Sequence, residues 1–158
     1  LGITDHGRSL DLEAIQLGSN LRMSEVSASI GLVQLSNLDM WVETRRHNAA
    51  LFTQALTDHP TISAPAQRPN TQHAWHQYCV QTSNPDGLVS HFDSLGIDTR
   101  RYYTTPCHHQ HVYKDHPQYT ERLENTDVAA HSLVAIPVMH ELKNGERQRI
   151  VDALKSYT

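Results

Sequence analysis

The chain has 158 residues, 38% of them hydrophobic and 19% charged, which is enough for one compact domain with a core and excludes wholesale disorder. Thirteen Lys and Arg against seventeen Asp and Glu give a formal charge of −4, with no basic stripe to track nucleic-acid phosphates. No apolar run reaches the roughly 18 residues that span a bilayer, and two cysteines, Cys79 and Cys107, do not make a disulfide scaffold, so a cytoplasmic protein is expected.

Residues 1–22 are polar and punctuated by Asp5-His6-Gly7 and Leu17-Gly18-Ser19-Asn20, and they read as a connecting segment ahead of a domain over 23–158. From Ser24 onward, Val26, Ile30, Val33, Leu38, Trp41 or Val42, Ala49 and Phe52 recur at three- and four-residue spacing. That period predicts an amphipathic helix to Leu56, capped by Ser24, with Glu25 at its positive end and His59-Pro60 as its stop. About thirty residues is long for a helix in a small domain, which predicts that it packs on something beyond its own core.

After a link holding Pro60, Pro65 and Pro69, alternation over His73–Thr82 predicts a strand. Asn84-Pro85-Asp86 opens a helix carrying Leu88, Val89, Phe92 and Leu95, which Gly96 closes. Ile97–Thr104 is a second strand candidate, ended by Pro106, and Val112–Leu123 is polar and partly helical. Thr126 is a candidate cap for a short helix through Ala130. Ser132–Ile136 is a third strand candidate ended by Pro137, and Lys143–Tyr157 is a closing helix with Ile150, Val151 and Leu154 on one face. The sum is an α+β fold: a small sheet of about three strands covered by helices, one of them long and N-terminal.

Twelve histidines are an unusual number, and Cys107-His108-His109-Gln110-His111 gathers imidazole and thiolate donors suited to zinc. A structural zinc site normally draws on two ligand pairs separated by a loop. His73 and His76 do not make a matching second pair, so no metal is expected.

Three stretches are specific. Leu17-Gly18-Ser19-Asn20-Leu21-Arg22-Met23-Ser24-Glu25, running on to Ala28-Ser29-Ile30-Gly31-Leu32-Val33-Gln34-Leu35, resembles the G-x-N-x-R-M-S-E…A-x-I-G-L-x-Q-L stretch of the DegT/StrS aminotransferases. Gly96-Ile97-Asp98-Thr99-Arg100-Arg101-Tyr102-Tyr103, with Pro106 and His108 after it, is similar to that family's G-I-x-T…Y…P-x-H segment. Ser132, Ile136-Pro137 and the closing helix resemble its usual end, and Asp5-His6-Gly7 resembles the H-G that follows the catalytic lysine.

The resemblance implies the C-terminal small domain of a fold-type-I enzyme that uses pyridoxal phosphate to aminate nucleotide-linked keto-sugars. It further implies glutamate as the usual amino donor and a homodimer with the cofactor between subunits. By the same resemblance, Asn20 is a cofactor-phosphate ligand, and Arg22, Tyr103 and His108 are substrate-binding positions. The residue types are compatible with those roles: an amide donates to phosphate without adding charge, guanidinium pairs with diphosphate oxygens, and Tyr and His offer stacking area with hydrogen bonds.

Each residue also has a plainer reading. Asn20 suits a left-handed turn or a helix cap, Arg22 can pair with Glu25, Tyr103 can be a strand aromatic in the core, and His108 a histidine beside a Pro-Cys turn.

Two features depart from the family pattern. Position 102 is Tyr where many relatives place His, and position 19 is Ser where an aromatic is common. A transaminase also needs a Schiff-base lysine, and Lys114, Lys143 and Lys155 all stand in polar or helix-surface contexts. That lysine is therefore expected upstream of Leu1, on a large domain, and the chain is not expected to transaminate or hold the cofactor alone. Two alternatives remain at this level: a relative catalysing sugar dehydration or deoxygenation, and a non-catalytic regulatory or interaction module.

Overall fold

A computed structural model describes residues 23–113 and 123–158. Its elements are helix α1 (Glu25–Ala55), strands β1 (Ile62–Ser63) and β2 (Tyr78–Thr82), helix α2 (Pro85–Ser94), and single 3-10 turns at Cys107–His109 and His111–Tyr113. Helix α3 (Glu124–Ser132), strand β3 (Leu133–Ile136) and helix α4 (Asn144–Ser156) complete them. The chain divides into two units, Leu1–Asp39 and Met40–Thr158, with the boundary inside α1.

In the first unit, the Ser24 hydroxyl accepts from the Ser27 amide at 3.2 Å and satisfies one of the donors that a helix start leaves open. Beyond it Val26, Ile30, Leu32, Val33 and Leu35 are each more than half exposed. The apolar period that predicts this part of α1 thus belongs to an exposed stripe.

In the second unit the core forms around an antiparallel sheet of order β1-β2-β3. Ile62 lies opposite Thr82, Tyr78 opposite Ile136 and Val80 opposite Val134. The period of two puts Tyr78, Val80 and Thr82 on the buried face of β2, leaving Cys79 half-buried and Gln81 exposed. Ala49 and Phe52 of α1, Leu88 and Phe92 of α2, and Ile150, Ala153 and Leu154 of α4 close over that face. Each large side chain so buried contributes about 1.5–3 kcal/mol of transfer free energy. The Phe52 ring meets Tyr78 edge-on, centroids 5.6 Å apart, and the Tyr78 hydroxyl pairs with Thr53 Oγ1 at 2.8 Å.

Two polar groups tie the helices to the chain around them. Asn48 is fully buried: its amide donates to the Met139 carbonyl at 3.0 Å, and its oxygen accepts from Arg147 at 3.3 Å. His59 Nδ1 accepts from the Ile62 amide at 3.1 Å, which fixes the tautomer so that Nε2–H donates to the Leu154 carbonyl, also 3.1 Å away. At α2, Asn84 caps the helix by accepting from the Gly87 amide at 3.0 Å. A Cβ at position 87 would run into the Asn84 side chain, so a larger residue there has to displace the cap.

The α+β class, the long helix and the three-stranded sheet match the expectation, but one of the three expected strands is replaced by another. Residues 97–104 do not form a strand. Only Arg100 pairs with Ala135 on the outer side of β3, through bonds of 3.1 and 2.7 Å, before the chain turns away. The third strand is instead β1, two residues inside the proline-rich link. β2 begins at Tyr78 rather than His73, because Trp75 takes a left-handed φ of 48°, held by its amide donating to His73 Nδ1 at 2.8 Å, and no extended run passes through it. Thr126 is not a cap: α3 starts two residues earlier, and Thr126 and Asp127 both donate from their amides to the Leu123 carbonyl. Ser132 ends α3 instead of opening β3.

Candidate functional site

Between the end of α2 and the start of α3, the segment after Gly96 carries most of the singled-out chemistry. Gly96 sits at φ +66°, a conformation glycine adopts freely, and reverses the chain off α2. Buried Ile97 and Thr99 then anchor it, and Arg100 bridges β3. Arg101 reaches back to α2, pairing with Asp86 at 2.7 Å, and donates to the His131 carbonyl of α3 at 3.0 Å. With both ends of the segment tied, Tyr102 and Tyr103 project from it.

Tyr103 is three-quarters exposed, its ring 5.5 Å from that of Tyr102 and tilted 58° to it. The two tyrosines, with Pro106, Gln110, Ala129 and Leu133, line an open, mostly apolar hollow of about 560 Å³. On its other side Tyr102 also lines a cleft of about 480 Å³ that gathers Arg45, His76, Asp98 and Arg100. Arg100 is already paired with Asp98 at 2.6 Å, whereas the Nε of Arg45 is buried without a hydrogen-bond partner. The pair of hollows offers two aromatic faces flanked by guanidinium groups, a combination suited to a planar ring joined to an anion.

His108 takes a different place. It is buried, and its Nε2 lies 3.2 Å from Asp127 Oδ1 on α3, with the His109 ring 4.1 Å from its own. Its one ring nitrogen with a described partner therefore faces Asp127. Asn20 and Arg22 lie outside the described residues, as does Lys114. Lys143 and Lys155 are exposed on or beside α4, and neither lines the tyrosine hollow.

Asp127 and Arg45 were not singled out from the sequence as site residues, and His76 was weighed there only as a metal ligand. Asp127 is brought to His108 by the packing of α3 and carries no motif of its own. Arg45 stands in the adjacent basic pair Arg45-Arg46, which by itself does not point to the cleft.

Comparison with known proteins bears on the whole chain. The model of the DegT/DnrJ/EryC1/StrS aminotransferase family matches residues 2–155. The dTDP-3-amino-3,4,6-trideoxy-alpha-D-glucose transaminase of Streptomyces venezuelae is 30% identical over 140 residues, covering 89% of this chain and 37% of the relative. A pleiotropic regulatory protein of Geobacillus stearothermophilus is 30% identical over 143 residues, covering 89% and 38%. Among solved structures, S. venezuelae DesV in complex with a ketimine intermediate superposes with a TM-score of 0.89 at 28% identity, over 97% of this chain and 41% of that one. A Brucella abortus DegT DnrJ EryC1 StrS aminotransferase shares the fold at a TM-score of 0.85 and 23% identity, over 98% and 41%.

The fold and the match together define an aminotransferase-family domain. The chain belongs to the DegT/DnrJ/EryC1/StrS aminotransferase family. It spans about two fifths of the length of the curated relatives it matches.

Proposed function

We propose that the chain is the C-terminal part of a pyridoxal-phosphate-dependent aminotransferase acting on nucleotide-linked keto-sugars. In this reading, residues 1–22 connect to a large domain that supplies the Schiff-base lysine, and 23–158 form the small domain. Glutamate donates the amino group, and the working form is a cytoplasmic homodimer. Asn20 contacts the cofactor phosphate, Arg22 and Tyr103 the sugar nucleotide, and His108 shapes the pocket wall by way of Asp127.

The observation that carries this reading is the family match across residues 2–155, a range that includes the tyrosine segment between α2 and α3. The transaminase named for a dTDP-linked amino sugar supports the substrate class. The exposed Tyr102–Tyr103 faces beside Arg45 support it chemically, since a base or sugar ring can lie on them with its diphosphate near a guanidinium.

The test uses the full-length gene product loaded with pyridoxal phosphate. Incubated with dTDP-linked 3-keto and 4-keto sugars and glutamate, it yields a dTDP-amino sugar detectable by mass, while the 158-residue chain alone yields none. A full-length protein that takes up the cofactor yet releases a dehydrated or deoxygenated sugar would move the reading to that reaction. The regulatory name of the Geobacillus relative favours a second reading, a module without chemistry. It requires that the full-length protein neither take up the cofactor nor turn over any of these sugars.

A further inference from the structure

His108 and Asp127, which the aminotransferase reading places at the pocket wall, form with His109 a cluster of metal-ligand donors that this reading leaves unused. Asp127 Oδ1 stands 3.2 Å from His108 Nε2 and 3.7 Å from His109 Nδ1, and the three donor atoms all lie within 4.8 Å of one another. Two donors bound to one tetrahedral zinc are about 3.3–3.6 Å apart, given metal–ligand bonds of roughly 2.0–2.2 Å. The two separations from the carboxylate bracket that value. Two of the three separations are therefore already those of a ligand set, and the third, between the two imidazoles, is at most 4.8 Å.

We propose that His108, His109 and Asp127 bind a divalent transition-metal ion of the zinc type. The donor set of two imidazoles and one carboxylate suits zinc, whereas magnesium and calcium take oxygen ligands. Burial preorganises it: the His108 side chain is only 5% exposed, and Asp127 is 25% exposed on the first turns of α3. His109 is half exposed, so water can complete the coordination. The ion takes the position of the proton shared between His108 Nε2 and Asp127 Oδ1, and both histidines bind as neutral imidazoles. It clamps the Cys107–His109 turn to α3, beside the hollow that Tyr103, Cys107 and Thr126 line.

Sequence spacing points elsewhere, because the third ligand comes from a helix 18 positions further on and not from a second Cys/His pair. With 12 histidines in the chain, adventitious uptake has to be separated from this site. The full-length protein, stripped with chelator, is titrated with cobalt(II), read by its visible ligand-field bands, and with zinc(II), read by calorimetry. One equivalent binds with the intense bands of a low-coordinate site, and a large excess of magnesium does not displace it. His109→Ala and Asp127→Asn each weaken binding at least tenfold, while His76→Ala, at an exposed histidine outside the cluster, leaves it unchanged. His109→Ala decides the matter, since its ring is half exposed and its loss leaves the His108–Asp127 bond in place. A His109→Ala protein that keeps wild-type affinity, or a wild type with no saturable uptake, overturns the site and leaves a hydrogen-bonded pair.

Discussion

Phe52, Tyr78, Val80, Phe92 and Leu154 meet with essentially no exposed surface, whereas Tyr102, Tyr103 and Val112 stand 40%, 75% and 80% exposed in the segment beside them. The first region is held by burial, which is non-directional and shared among many neighbours. The second is held by a few directional bonds: Arg100 to β3, Arg101 to Asp86, Gln110 to the Thr105 carbonyl and His108 to Asp127. Damage in the core should therefore spread through the second unit, and damage in the segment should stay local. On the proposed reading, that contrast would let a surface tyrosine serve a ligand without loosening the fold.

The largest expected effect comes from the core. Phe92→Ala removes a ring with no exposure, packed with Leu88 against the sheet, and should cost about 3–5 kcal/mol of stability. Urea unfolding followed by circular dichroism measures it. A loss under 1 kcal/mol would mean that the site collapses freely and that the core is no tighter than the segment.

Alkaline pH probes the same contrast more gently. Burial raises the Tyr78 phenol above its ordinary 10.0, partly opposed by the hydrogen bond with Thr53, and burial also raises the Cys79 thiol above 9.0. In both cases the folded state holds its proton more tightly than the unfolded chain. Their contribution is fully present below the unfolded values and is lost as pH rises past 9 and then 10. Stability should decline through that window, and Tyr78→Phe should remove the later part of the decline. Exposed Cys107 should react with a thiol reagent well before half-buried Cys79, by mass spectrometry of the labelled peptides.

The two regions were not equally legible in the sequence. α2, α4 and the part of α1 in the second unit follow from an apolar period of 3.6, because burial on one face imposes a period on the chain, whereas β3 is a short apolar run, buried at Val134, Ala135 and Ile136 alike, that Pro137 ends. β1 was invisible, since two residues cannot show a period, and it exists only because β2 offers an edge. The strand expected over 97–104 fails for a related reason. Its residue types suit a strand, but Arg100 and Arg101 find partners in Asp98 and Asp86, and one bridge to Ala135 is all the pairing that survives. At the site, Tyr103 could be singled out through a family motif. Asp127 could not, because a contact between a turn and a helix nineteen residues apart leaves no local signal.

The smallest effect on stability, and the sharpest test of the contrast, falls on Tyr103. Its ring touches Tyr102 and otherwise faces solvent, so Tyr103→Ala should change unfolding free energy by no more than about 0.5 kcal/mol. If the hollow takes a sugar nucleotide, the same change removes a stacking face worth about 0.5–1.5 kcal/mol, and KM for the nucleotide sugar in the full-length enzyme should rise roughly 2- to 12-fold. Tyr103→Phe, which keeps the face and drops the hydroxyl, should restore most of that loss. An alanine variant that unfolds early would place Tyr103 with the core, whereas one that leaves both stability and KM untouched would remove this hollow from the substrate's path. Only a split between the two measurements fits a segment whose tyrosine is held out for a ligand while Arg101 and His108 fasten it to the helices on either side.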